Sequence, residues 1–105
     1  MNIQMKKGLL DSLVLSVVNK GDTYGYQLST DVSKIIQVAE TALYPVLRRL
    51  EMQALLKTYT KQYNGRLRKY YSITKKGKKM LLENILDLVE LKNIIEMLME
   101  ENANE

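Results

Sequence analysis

The sequence predicts a mainly α-helical fold with one small β-hairpin, arranged as a winged helix-turn-helix followed by a long C-terminal dimerisation helix. Three observations carry this prediction. Apolar residues recur at helical spacing in four separate stretches. Asn64-Gly65 sits between two runs rich in Tyr and Thr, a strong signal for a tight hairpin, because both central residues of a type I′ turn need positive φ. The last helical stretch is longer than a domain of this size can cover. With 105 residues the chain makes one small domain, and 46% hydrophobic against 27% charged residues is the balance of a folded protein rather than a disordered one.

Residues 3–19 read as the first helix. Leu10, Leu13, Val14, Val17 and Val18 form one stripe, and Met5, Leu9, Ser12 and Ser16 form a less apolar second one, so the helix is expected to pack on two sides. Gly21 ends it, and Asp22 or Thr23 is placed to cap the next helix. Residues 24–36 read as that second helix, with Tyr24, Leu28, Val32 and Ile35 inside, and residues 36–39 as an extended link. Residues 40–54 read as the third helix. Its core stripe is Leu43, Val46, Leu47 and Leu50; its opposite face carries Thr41, Tyr44, Pro45, Arg48 and Met52. Residues 55–63 and 67–73 read as strands, with Arg66 extending the loop between them.

Thr74 is placed to cap a last helix over 75–100. Leu81, Ile85, Leu88, Leu91, Ile95 and Leu98 form its main stripe. At about 1.5 Å per residue it is about 39 Å long, beyond the diameter of about 26 Å implied by the radius of gyration of a 100-residue domain. Part of it must leave the core with apolar surface uncovered, and a second copy of the chain is the economical cover. The expected division is a winged helix-turn-helix over 1–74 and a dimerisation helix over 75–105 that packs with helix 3–19.

Charge is segregated along the chain. Residues 1–56 carry six cations and five anions, residues 57–79 nine cations and no anion, and residues 80–105 one cation and seven anions. Nine like charges interleaved with Tyr59, Tyr63, Tyr70 and Tyr71 suggest ordered strands that meet a polyanion. Other classes are poorly supported. The chain has no Cys and no His, which removes thiolate and imidazole metal ligands and the commonest general base. It has no phosphate-binding or dinucleotide glycine motif, so neither an enzyme nor a cofactor nor a metal site is expected. No apolar run of about 18 residues exists to span a membrane. Asp11, Ser12 and Ser16 interrupt the apolar stretch that a secretory signal would need, and the expectation is a cytoplasmic protein.

A helix with an apolar back and a polar front, followed by a cationic hairpin, fits double-stranded DNA. The helix enters the major groove, and the hairpin reaches along the backbone or into a neighbouring minor groove. The candidate contacts are Thr41, Tyr44, Arg48 and Arg49 on the third helix, and Lys61, Arg66, Arg68, Lys69 and Tyr70 on the hairpin. Each has a plainer alternative: Tyr44 as a packing residue, Arg48 in an ion pair with Glu51 or Glu40, Tyr70 in cross-strand packing. A different function also remains open, a protein-interaction module whose long helix pairs with another protein and whose basic block meets an acidic partner.

The chain also resembles the PadR family of bacterial transcriptional regulators in its short form with one C-terminal helix. The resemblance rests on Gly8-Leu9-Leu10, Tyr24-Gly25-Tyr26-Gln27-Leu28, the Leu43-Tyr44-Pro45-Val46-Leu47-Arg48-Arg49-Leu50-Glu51 block and the Arg68-Lys69-Tyr70-Tyr71-Ser72-Ile73-Thr74 block. It implies a homodimer built through the last and first helices, repression of transcription, and in some relatives a small-molecule effector held between those helices. On this chain the effector region would be Met5, Ser12, Ser16, Leu88 and Lys92. Two departures stand out. Ala39-Glu40-Thr41-Ala42 replaces the Ser or Asn, Glu, Gly or Ala, Thr run of relatives, which removes a side-chain cap or moves it to Thr41. Gln53-Ala54 stands where relatives often have Gly after the helix.

Overall fold

The computed structural model describes the backbone of residues 3–103 and the side chains from Gly8 to Ala103. Seven elements follow in order: α1 (Ile3–Lys20), β1 (Thr23–Tyr24), α2 (Gly25–Ser33), α3 (Glu40–Met52), β2 (Leu56–Tyr63), β3 (Arg66–Ile73) and α4 (Lys75–Glu101). The three strands form one antiparallel sheet in the order β1-β3-β2. The fold is the expected one, with a strand added.

The helices contribute most of the stripes their spacing sets; in α1, Leu15, on neither expected stripe, is also fully buried, while Leu13, Val17 and, in α3, Val46 are only partly buried. Leu10, Val14 and Val18 of α1, Leu28 and Val32 of α2, and Leu43, Leu47 and Leu50 of α3 are buried together with Leu55, Leu56, Tyr71 and Leu81. α1 packs against α2, α3, α4 and β3 at once, which explains why it needs two apolar sides. No helix among the described residues is long and apolar enough to cross a membrane.

Four local expectations change. Thr23 and Tyr24 do not open α2; they form β1 and pair with Tyr71 and Tyr70 of β3. Asp22 and Thr23 cap nothing: α2 begins after Tyr24 without a side-chain cap, and Asp22 instead accepts a hydrogen bond from the Tyr59 hydroxyl at 2.7 Å. α2 stops at Ser33, whose hydroxyl donates to the Val38 carbonyl at 3.2 Å and draws the chain toward α3. Ile35 is therefore 62% exposed, and Ile36 packs on the core in its place. Arg66 does not lengthen the hairpin loop; it pairs with Tyr63, leaving a two-residue turn in which Asn64 has φ 50° and Gly65 φ 78°.

Two caps set the wing's frame. α3 ends in a Schellman motif: the amide of Leu55 donates to the carbonyl of Leu50, and that of Ala54 to Glu51, both at 2.9 Å. The residue at its left-handed position is Ala54, with φ 61°. A side chain there costs about 1–2 kcal/mol that glycine avoids, partly offset by glycine's greater freedom in the unfolded chain. Ala54→Gly should therefore stabilise the fold by about 0.5–1 kcal/mol, read as a rise in thermal midpoint at fixed chain concentration. α4 starts as expected, with the Thr74 hydroxyl accepting from the Gly77 amide at 2.9 Å and donating to the Ala54 carbonyl at 2.7 Å. Lys76 donates to the Gln53 carbonyl at 3.0 Å, so one cation of α4's first turn serves the end of α3.

Candidate nucleic-acid interface

α3 buries Leu43, Leu47 and Leu50, and this spacing turns Thr41, Tyr44, Arg48 and Met52 outward. Its N-cap, Ala39, offers no side-chain cap, as the departure at 39–42 suggests. The Tyr44 hydroxyl donates to Glu40 Oε1 at 2.9 Å. That bond to a carboxylate holds the phenol's proton above its usual range, with burial adding to it. The ring also lies against Gly25, where a Cβ would meet it at 3.3 Å. Tyr44 thus packs and faces outward together. Arg48 has no ion-pair partner among the described residues, since Glu40 is taken by Tyr44 and Glu51 by the wing.

Arg49 goes elsewhere. Its guanidinium makes a two-pronged pair with Asp11 of α1, at 3.0 and 2.6 Å. The paired carboxylate raises its pKa, against a smaller opposing effect of burial. This side chain ties α3 to α1 while staying 46% exposed, so the DNA contact expected at Arg49 has the Asp11 pair as its structural alternative.

The hairpin is two-faced. Cross-strand register places Tyr59 opposite Tyr70, Lys61 opposite Arg68 and Tyr63 opposite Arg66 on one face, and Thr58 opposite Tyr71, Thr60 opposite Lys69 and Gln62 opposite Leu67 on the other. The second face looks toward α3. There Lys69 sits 5.4 Å from the Tyr71 ring centroid and 3.6 Å from Glu51. Tyr44, Arg48, Glu51, Lys69 and Tyr71 line a recess of about 280 Å³ between helix and wing.

The outer face is an aromatic ladder. The Arg68 guanidinium lies between the rings of Tyr24 and Tyr63, 3.9 and 4.0 Å from their centroids. Tyr70 stacks on Tyr59 at 5.5 Å and meets Tyr24 edge-on at 5.7 Å. Hydrogen bonding to Asp22 pushes the Tyr59 hydroxyl's pKa up. The Tyr70 ring thereby packs across the strands, and the Arg68 guanidinium is held between two rings. The candidate contacts therefore separate into a group beside α3 (Tyr44, Arg48, Lys69), an outer group (Lys61, Arg66, Arg68), and Thr41 exposed near the start of α3. Sequence reasoning missed Glu51 and Thr58 as the link between helix and wing. Period-two alternation already puts Thr58, Lys69 and Tyr71 on one face, and that was the available signal.

Away from this surface, Leu9, Ser12, Leu13, Ser16, Leu81, Ile85 and Leu88 line an apolar recess of about 180 Å³ between α1 and α4. It gathers Ser12, Ser16 and Leu88 from the expected effector region. Lys92 does not line it and lies 3.9 Å from Glu96; the Met5 side chain lies outside the described residues. Leu81, expected on the dimer seam, is 5% exposed within the chain's own core. Ile85, Leu91, Ile95 and Leu98 remain 43–50% exposed, and Leu88 is half-buried.

Residues 14–83 match the profile of the Transcriptional regulator PadR-like family. The chain belongs to this family. A PadR-like transcriptional regulator from Bacillus cereus is 33% identical and superposes with a TM-score of 0.83 over 91% of this chain and 96% of its own. A Streptococcus mutans protein of known structure is 38% identical, with a TM-score of 0.83 over 89% of this chain and 88% of its own. An uncharacterised protein of Lysinibacillus sphaericus is 37% identical over 99 residues, 90% of this chain and 91% of that one. This PadR-like protein is accordingly a transcriptional regulator with a winged helix-turn-helix fold.

Proposed function

We propose that this PadR-like regulator is a homodimeric repressor that binds a pseudo-palindromic operator. Residues 1–74 supply the reading surface, and residues 75–105, with α1, supply the seam between copies. The observation that carries the reading is α4. The molecule extends 61 × 27 × 20 Å, and its radius of gyration of 16.2 Å exceeds the roughly 13 Å of a compact chain this long. Every residue from Leu91 to Ala103 is exposed, apolar ones included. A second copy aligned along this stripe would cover it and set two α3 helices for successive major grooves about 34 Å apart. Family membership favours this over pairing with an unrelated protein.

On each half-site, Thr41, Tyr44 and Arg48 would face the major groove. Lys69 would approach phosphates from the inner face of the wing, and Lys61, Arg66 and Arg68 from the outer face. The recess between α1 and α4 is smaller than the roughly 300–1,000 Å³ of ordinary ligand sites, so an effector site for a flat apolar molecule would need the partner's helices to complete it.

The experiment starts from a random-sequence duplex pool enriched by the chain itself. Arg48→Ala should weaken binding to the enriched duplex by about 1–3 kcal/mol, the worth of a base-reading arginine, while leaving a scrambled duplex of equal length nearly unaffected. Equal losses on both would reduce Arg48 to a phosphate contact. Failure of the pool to enrich would remove the operator reading.

A further inference from the structure

Glu51 is an anion in the recess between α3 and the wing, a surface otherwise built from Tyr44, Arg48, Lys69 and Tyr71. Its Oε2 accepts from the Thr58 hydroxyl at 2.9 Å, and its Oε1 lies 3.6 Å from Lys69 Nζ. Thr58 belongs to β2 and Lys69 to β3, so one carboxylate ties the reading helix to both strands of the wing. Stability does not account for it. The Glu51 and Lys69 side chains are 34% and 54% exposed, and ion pairs that open to water contribute little. Toward DNA the charge is a cost, because an anion near phosphates opposes binding to every sequence and occupies a lysine that could neutralise one of them.

The geometry points to Glu51 as a specificity-determining positioning residue. It holds the wing at a fixed angle to α3 and keeps the Lys69 ammonium at the carboxylate. Lys69 then meets a phosphate only when helix and wing are both in register with the duplex. On a duplex where α3 finds no matching bases, the wing cannot swing independently to collect backbone contacts. Affinity for wrong sequences is lowered more than affinity for the right one, and preference rises. The inference rests on the DNA-binding reading of α3 and the wing.

Four proteins test it: wild type, Glu51→Gln, Lys69→Gln and the double variant, each titrated at several salt concentrations against the enriched duplex and a scrambled one. Glutamine keeps an oxygen for the Thr58 hydroxyl and removes the charge, so thermal midpoints should stay close to wild type. Glu51→Gln should tighten scrambled-duplex binding roughly 3- to 10-fold and steepen its salt slope by about 0.9, the signature of one added phosphate contact. The enriched duplex should change less than about twofold, so preference falls. In the Lys69→Gln background the same substitution should alter preference by less than about twofold, because its effect runs through Lys69. Equal tightening on both duplexes, or a full effect without Lys69, would make Glu51 a plain repulsive charge and overturn the proposal. A wild-type chain that binds neither duplex would strike the DNA-binding reading itself, and this proposal with it.

Discussion

Replacing Gly77 with alanine should lower stability by about 2 kcal/mol and drop the thermal midpoint by roughly 8–16 °C. Helix propensity alone predicts the opposite sign, since alanine is about 0.8–1.0 kcal/mol better than glycine inside a helix. The sign is set by packing. A Cβ at Gly77 would lie 2.2 Å from the Leu55 carbonyl oxygen, 2.8 Å from Ile73 Cγ1 and 3.1 Å from the Leu55 carbonyl carbon. The oxygen cannot retreat freely, because it accepts from the amide of Thr74 at 3.1 Å. Its neighbour Ala54 is held in the left-handed region by the Schellman motif. Moving α4 outward instead would draw Leu81 from the core, where it is 5% exposed. Relief therefore means loosening the junction of α3, the wing and α4, and overpacking of this kind costs about 1–3 kcal/mol. Midpoints compared at equal chain concentration decide the matter; a rise of a few degrees would mean that propensity outweighs the clash.

That junction also shows what the sequence could disclose. The hairpin was legible because positive φ at Asn64 and Gly65 is demanded by two adjacent residues and nothing distant. The Thr74 cap was legible for the same reason, as was the buried stripe Leu43, Leu47 and Leu50. β1 was not. Two residues cannot display alternation, and Thr23 and Tyr24 become a strand only because Tyr70 and Tyr71 offer their backbone. The end of α2 was hidden by Ile35, which continues the apolar period although the chain has turned toward α3. Among the site residues, type and face were readable but partners were not. Arg49 and Arg48 are adjacent and chemically identical, yet one meets Asp11, 38 positions away, and the other has no ion-pair partner among the described residues. Arg68 looked like a free hairpin cation until Tyr24 and Tyr63 closed on it. Local signals survive folding; pairings across the chain are decided by tertiary packing.

The largest change in assembly should come from placing carboxylates on the far half of α4. Ile95→Asp combined with Leu98→Asp should reduce the mass in light scattering from about twice 12.2 kDa to 12.2 kDa. Both side chains are about half exposed, and neither belongs to the chain's own core. The substitutions therefore leave the winged domain's packing alone, which separates loss of the seam from unfolding. In a dimer each new charge would face apolar side chains without a partner, at a cost of several kcal/mol apiece. Released from its cover, the last dozen or so residues of α4 would stand in water as an unpacked extension of the anchored helix and fray from the free end. Far-UV circular dichroism should accordingly lose part of that stretch's helix, while the rest still unfolds cooperatively. Binding should fall further than either half-site contact explains. Two reading heads on one rigid seam gain about 10²- to 10⁴-fold from acting together, and the monomer forfeits that factor while keeping its salt dependence per half-site. A variant that retains the doubled mass with an unchanged helix signal would place the seam elsewhere and leave the exposed stripe of α4 without its partner.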